Sequence, residues 1–179
     1  MTLTLLEGAV LVFVVGCALG AALLKDTLAA VMAFAAYSLG VSVLWLILQA
    51  PDVGLTEAAV GAGIMTVLFL LALSNTSSPD VDRLLEPVRW RTVALVGGFA
   101  LLIGVTVPAL PAIGDPGSAV AGGEVTQYYL ANAYAETEVR NAVTAVLAAY
   151  RGFDTLGEGV VVFAAVVVAL SVLRREVVA

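Results

Sequence analysis

VGLTEAAVGAGIMTVLFLLALS, residues Val53–Ser74, decides how the rest of the chain is read. Its one charged side chain is Glu57. At 1.5 Å per residue, a helix of this length crosses a hydrocarbon core of about 30 Å. Four further apolar stretches flank it: Leu3–Leu24, broken only by Glu7, then Thr27–Leu48, Thr92–Leu110 and Thr155–Leu173. With 61% hydrophobic and 12% charged residues among 179, and a mean hydropathy of +1.06, the bilayer is the expected solvent. The fold class that follows is an all-α, multi-pass integral membrane protein of about five transmembrane helices, placed in the cell membrane.

Composition also removes several classes of function. A net charge of −6 and only eight basic residues leave nothing to neutralise a phosphate backbone, so no nucleic-acid partner is expected. Cys17 is the single cysteine and histidine is absent, which removes disulfides, imidazole ligands and clustered metal sites. No nucleotide-binding or iron–sulfur pattern occurs, so no cofactor is expected. The first stretch lacks the basic start of a secretory signal, and such a signal would leave the downstream stretches unexplained.

Connections divide the chain. Ala50-Pro51-Asp52 reads as a turn into a helix, since proline suits the first helical turn and disfavours helix before it. The Pro-, Gly- and Ser-rich segment Pro111–Gly123 is the main internal boundary, separating 1–110 from 111–179. Beyond it, residues 125–158 mix aromatic, polar and apolar side chains, with Ala142, Val146 and Ala149 at helical spacing, and read as a surface-lying or partly buried helix before the last span. Basic residues near membrane ends favour the cytoplasm. Lys25, Arg83, Arg89, Arg91, Arg174 and Arg175, six of the eight, fall on one side if the N-terminus is outside and the C-terminus inside. Arg140 and Arg151 fall in the long outer connection.

Carboxylates inside the spans are where chemistry is expected, because an ionised acid at the centre of a membrane helix costs about 2.5–3.5 kcal/mol even on insertion scales. Glu57 has Gly61 one turn on, leaving room for a cation or water beside it. The alternative is that Glu57 serves the positive start of its helix. Asp154 and Glu158 share a face at the start of the last span, where a cation or proton would relieve their repulsion; helix capping and headgroup contact are the alternative. Glu7 lies near enough to the terminus to be solvated. In the assigned topology Glu7, Asp52, Glu57, Asp154 and Glu158 form an acidic outer mouth for Na+ or H+, opposite Lys25 and Asp26 on the inner side. Gly61 and Gly63 mark a position for a π-bulge or local break, or for close packing. Tyr37 and Ser38 can hydrogen-bond to water there or to a neighbouring backbone. Gly16 and Gly20 have the spacing of a helix-contact face.

The stretch QAPDVGLTEAAVGAGIMTVLFLLALS, Gln49–Ser74, resembles the D-type subunit of membrane-bound hydrogenases, which recurs in the large subunit of Mrp cation/proton antiporters. NAVTAVLAAYRGFDTLGE, Asn141–Glu158, resembles the E-type subunit of the same systems. The third span is also similar to the π-bulged third helix of the complex I J-type subunit. The resemblance implies a fused D-plus-E module of a multisubunit Na+/H+ antiporter that is a transport subunit, not an enzyme. Its implied partners are the other subunits of such a complex, membrane lipid, Na+ and H+. It implies ion-path roles for Glu57 and Glu158, a mouth position for Asp154, and places Lys25 and Asp26 along the same path. The large antiporter unit with its buried lysines is missing from this chain, so exchange is expected only with partners. A hydrogenase or complex I relative and a purely structural adaptor are the alternatives.

Overall fold

Residues 4–74, 76 and 82–176 are described by a computed structural model, with side chains of the last helix described as far as Ser171. Leu3, with which the first span was expected to open, and the side chains of Arg174 and Arg175, used in the topology argument, lie outside the described residues. Among the described residues, five helices are long and apolar enough to cross a membrane: Leu5–Leu23, Thr27–Ile47, Pro51–Ser74, Trp90–Ala109 and Gly152–Ser171. The chain divides into two compact units, Met1–Ala109 and Leu110–Ala179.

In the first unit, helix α1 (Leu5–Leu23) begins with a capping box. The Thr4 N–H donates to Glu7 Oε2 at 2.6 Å, and the Glu7 N–H donates to Thr4 Oγ1 at 3.3 Å. That contact accounts for Glu7 without any role in the membrane interior. Lys25 and Asp26 end the apolar run, and the Asp26 carboxylate starts α2 (Thr27–Ile47) by accepting from the Leu28 N–H at 2.9 Å. Gln49 turns the chain with a positive φ of 61°, and Pro51 then occupies the first turn of α3 (Pro51–Ser74).

Helix α3 changes register. Its first α-helical part, Pro51–Glu57, passes into a π-helix over Ala58–Ile64 and returns to α-helix over Met65–Ser74. The expected local break at Gly61 and Gly63 is thus a π segment.

Helix α2 packs against both α1 and α3. Glycine permits each approach. A Cβ on Gly40 would stand 2.7 Å from Val14 of α1, and one on Gly54 of α3 would stand 3.0 Å from the Ser42 carbonyl oxygen of α2. Gly20 approaches Ala33 at 3.4 Å in the same sense. Because lipid is as apolar as leucine, such helices associate through close backbone approach and polar contacts. The aromatic pair Phe34–Phe69, edge to face with centroids 6.2 Å apart, closes the other end of the α2–α3 contact.

Segment 82–86 folds back over the turn between α1 and α2. The Lys25 N–H donates to the Leu84 carbonyl at 3.1 Å, the Glu86 N–H donates to the Leu23 carbonyl at 2.8 Å, and Leu24 and Leu85 form an isolated antiparallel bridge. Helix α4 (Trp90–Thr106), extended by a 3₁₀ turn at Val107–Ala109, is exposed along its length, and an added Cβ on Gly97, Gly98 or Gly104 would meet nothing.

The second unit opens with α5 (Ala119–Gly122) and α6 (Glu124–Thr137). Helix α6 stops at Glu138, which is left-handed at φ 59°. The chain resumes at α7 (Ala142–Ala145), runs through a second π segment at Val146–Tyr150, and bends at Arg151 into α8 (Gly152–Glu176). The stretch expected as one surface helix is therefore interrupted at Glu138, and Ala142, Val146 and Ala149 belong to the lead-in of the last span.

Candidate functional site

Glu57 stands at the junction where α3 passes from α- to π-helix. It lies beyond the first turn, whose acid is Asp52. A Cβ placed on Gly61 would lie 2.6 Å from Glu57 Oε1, 2.6 Å from Ser38 Oγ and 2.9 Å from Ser38 Cβ. The carboxylate and the hydroxyl therefore both border the space that glycine leaves empty. Ser38 is 1% exposed, while Glu57 is half-buried.

The register change adds a second polar group. The Met65 N–H still follows the π pattern and donates to the Val60 carbonyl, after which α-helical bonding resumes. A switch from i→i−5 to i→i−4 bonding passes over one carbonyl, here that of Gly61. The Thr66 hydroxyl reaches toward it, at 3.4 Å. A turn nearer the start of α3, Ser42 Oγ donates to the Gly54 carbonyl at 2.6 Å. Ser38, Ser42 and Thr66 are the buried polar side chains among the described residues, and all three border the α2–α3 contact. The result is one polar seam with a carboxylate at its middle, in helices otherwise dressed for lipid.

The other expected residues are placed as follows. Lys25 forms an ion pair with Asp82 of the folded-back segment. The Lys25 ammonium beside it holds the Asp82 carboxyl below its ordinary value. Asp26 caps α2, and Tyr37 stacks on Phe34 with centroids 6.2 Å apart. A Cβ on Gly16 would meet nothing within 4 Å, and one on Gly63 would meet only the Ala58 carbonyl oxygen at 3.5 Å. In the second unit Asp154 Oδ2 accepts from Arg151 Nε at 2.5 Å. Glu158 is exposed one turn further along α8.

One cluster was not anticipated. Tyr128 Oη donates to Glu136 Oε1 at 2.6 Å, Tyr150 Oη donates to Glu136 Oε2, and the Tyr129 and Tyr150 rings lie 4.8 Å apart. The cluster ties α6 to the second π segment. No periodicity announces it, since Glu136 and Tyr150 are fourteen residues apart across a helix end. Hydrogen bonds from Tyr128 and Tyr150 hold the Glu136 carboxyl below its ordinary 4.5, and the bond to Glu136 pushes the Tyr150 phenol up to about 12. The Glu136 contribution to this contact is present above the ordinary carboxylate value and is lost as pH falls through its lowered one. The Tyr150 contribution is present below 10.0 and is lost as pH rises toward about 12. Glu136→Gln is expected to bring the Tyr150 phenol back toward its ordinary value, read as phenolate absorbance in an alkaline titration; a titration identical to wild type would refute the contact.

Comparison with known proteins places this arrangement in a family. Residues 12–78 match the MbhD family model, which describes the D-type subunit of MBH, and residues 93–178 match the MbhE family model, which describes the E-type subunit of MBH. Antiporter subunit mnhA2 of Staphylococcus haemolyticus is 30% identical over 156 residues, covering 87% of this chain and 18% of that protein. Na+/H+ antiporter subunit A1 of the same organism is 29% identical over 152 residues, covering 85% of this chain and 18% of that protein. The chain thus spans about a fifth of the length of the curated relatives it matches. A chain in the solved structure of the membrane-bound sulfane sulfur reductase, an archaeal respiratory membrane complex, is 35% identical, covering 49% of this chain and 99% of that one, at a TM-score of 0.42. With the D-type model matched over residues 12–78 and the E-type model over residues 93–178, this multi-pass membrane chain carries an MbhD domain followed by an MbhE domain, consistent with a fused D/E module of an Mrp subunit.

Proposed function

We propose that this chain is a subunit of a multisubunit antiporter that exchanges Na+ for H+, and that it lines part of the ion route with carboxylates held inside its helices. The observation that carries the reading is Glu57, a carboxylate set in the α2–α3 seam beside Gly61 and the π segment. An acid in this setting is costly unless a proton, a cation or water accompanies it. Those are the species an antiporter moves. The antiporter subunits among its relatives support the assignment.

In this reading, the first three long helices act as the D-type part and the chain from the fourth long helix onward as the E-type part. The N-terminus lies outside and the C-terminus inside, and α6 rests at the outer surface. Asp154 and Glu158 then stand at the mouth of the last span, with Asp154 tied to Arg151 and Glu158 available to a cation. Lys25 and Asp26 close the inner end, where Lys25 is paired with Asp82. The large antiporter subunits supply the remainder of the route.

The proteins that purify with a tagged chain from native membranes test this reading. Antiporter subunits, and cation-dependent proton movement in vesicles carrying them, are the expected result. Recovery of iron–sulfur or hydrogenase subunits in their place would move the module to a redox complex.

A further inference from the structure

We propose that Ser38 is the positioning partner of Glu57: through one water in the space left by Gly61, its hydroxyl donates to the carboxylate and holds it in place on the ion route. The inference rests on the reading of Glu57 as a station on the ion route, and it names the residue that positions it.

Three observations carry it. Ser38 is nearly fully buried and comes from a different helix, so its place opposite Glu57 is fixed by the packing of α2 on α3. Its Oγ and Glu57 Oε1 both approach the same point, the Cβ position of Gly61, to 2.6 Å. Ser42 and Thr66, the other buried hydroxyls of the seam, donate to the backbone carbonyls of Gly54 and Gly61, whereas Ser38 Oγ borders the same Gly61 space that Glu57 Oε1 borders.

Nothing else on these two helices competes for that role. On α2 the titratable side chains are Asp26, engaged in capping its own helix, and Tyr37, stacked on Phe34. On α3 the other acid is Asp52, in the first turn, and the part after the π segment carries no titratable group. No lysine or arginine belongs to α2 or α3. A hydroxyl that donates to a carboxylate favours its ionised form, so the loss of Ser38 is read in the pH dependence of exchange.

The test is the pH dependence of Na+/H+ exchange by the assembled complex in inverted vesicles, compared for wild type, Ser38→Ala, Ser38→Cys, Ser38→Thr and Glu57→Gln. With Ser38→Ala the profile is expected to move toward alkaline pH by about one unit, the scale of one hydrogen bond to a charged group. Ser38→Cys, close to serine in volume and a weak donor, should move it the same way by less, so failure of one variant to assemble leaves the other to decide. Ser38→Thr, which keeps the hydroxyl, should return the profile toward wild type. An unmoved profile in both Ser38→Ala and Ser38→Cys, with Glu57→Gln inactive, overturns the role of Ser38 and leaves that of Glu57 standing. Full exchange by Glu57→Gln overturns the reading beneath it.

Discussion

Glu57→Ala abolishes coupled exchange, with a fall of about 100-fold or more, while the complex still assembles at its normal yield. The magnitude follows from the role assigned. A side chain that takes up and releases a proton on the route contributes about 10²–10⁴-fold, and alanine has nothing to offer in its place. The expectation that assembly survives also has a structural basis. Glu57 is half-buried and makes no ion pair among the described residues, and the α2–α3 contact is held by the approach of Gly54 to Ser42 and of Phe34 to Phe69. Removing an acid from an apolar helix also relieves a desolvation cost of a few kcal/mol. Exchange and assembly are thus expected to separate, with vesicle exchange as one measurement and recovery of the detergent-purified complex as the other. Retention of wild-type exchange by Glu57→Ala would favour a scaffold, for which a charge at this position is dispensable.

Gly61→Val removes both exchange and part of the stability. A Cβ at Gly61 would lie 2.6 Å from two oxygens and 2.9 Å from Ser38 Cβ. The Glu57 carboxylate can swing aside, being the far end of a flexible side chain. Ser38 cannot, because its Cβ is one bond from the backbone of α2 and the residue is buried. Helices α2 and α3 must therefore move apart, at about 1–3 kcal/mol for overpacking of this kind. Gly61→Ala should show the same loss in smaller measure. Gly63→Ala is the control, since its Cβ would meet only the Ala58 carbonyl oxygen at 3.5 Å. Thermal unfolding of the purified complex reads the stability difference between these variants. Equal stability and equal exchange in Gly61→Ala and Gly63→Ala would show that the vacancy at Gly61 has no purpose.

Two glycines that look alike in the sequence thus differ in consequence. Spacing brought Gly61 onto the face of Glu57, and composition made a break in the helix plausible there. It could not tell that Gly61 also faces Ser38, because nineteen residues and a turn separate Ser38 from Glu57 and only the packing of α2 on α3 closes the gap. Gly16 and Gly20 show the same limit. Gly20 meets Ala33, while Gly16 meets nothing within 4 Å. Lys25 is a third case: its charge and place at the end of α1 were plain, but its partner Asp82 reaches it through a segment that folds back by two backbone hydrogen bonds. The second π segment and the Glu136 cluster gave no signal of their own, since the residues around Tyr150 read equally well as continuous helix.

By itself the sequence determined the solvent, the number of long apolar helices, their ends at Asp26 and Pro51, and the presence of an acid within the third. It could do so because transfer to lipid, helix capping and proline geometry act on residues close together in the chain. Tertiary structure decided which side of each helix faces another, that Ser38 stands opposite Glu57, and which carbonyl drops out of the α3 ladder. Those outcomes depend on backbones approaching within a few ångströms across different helices, a balance of packing that no local pattern records.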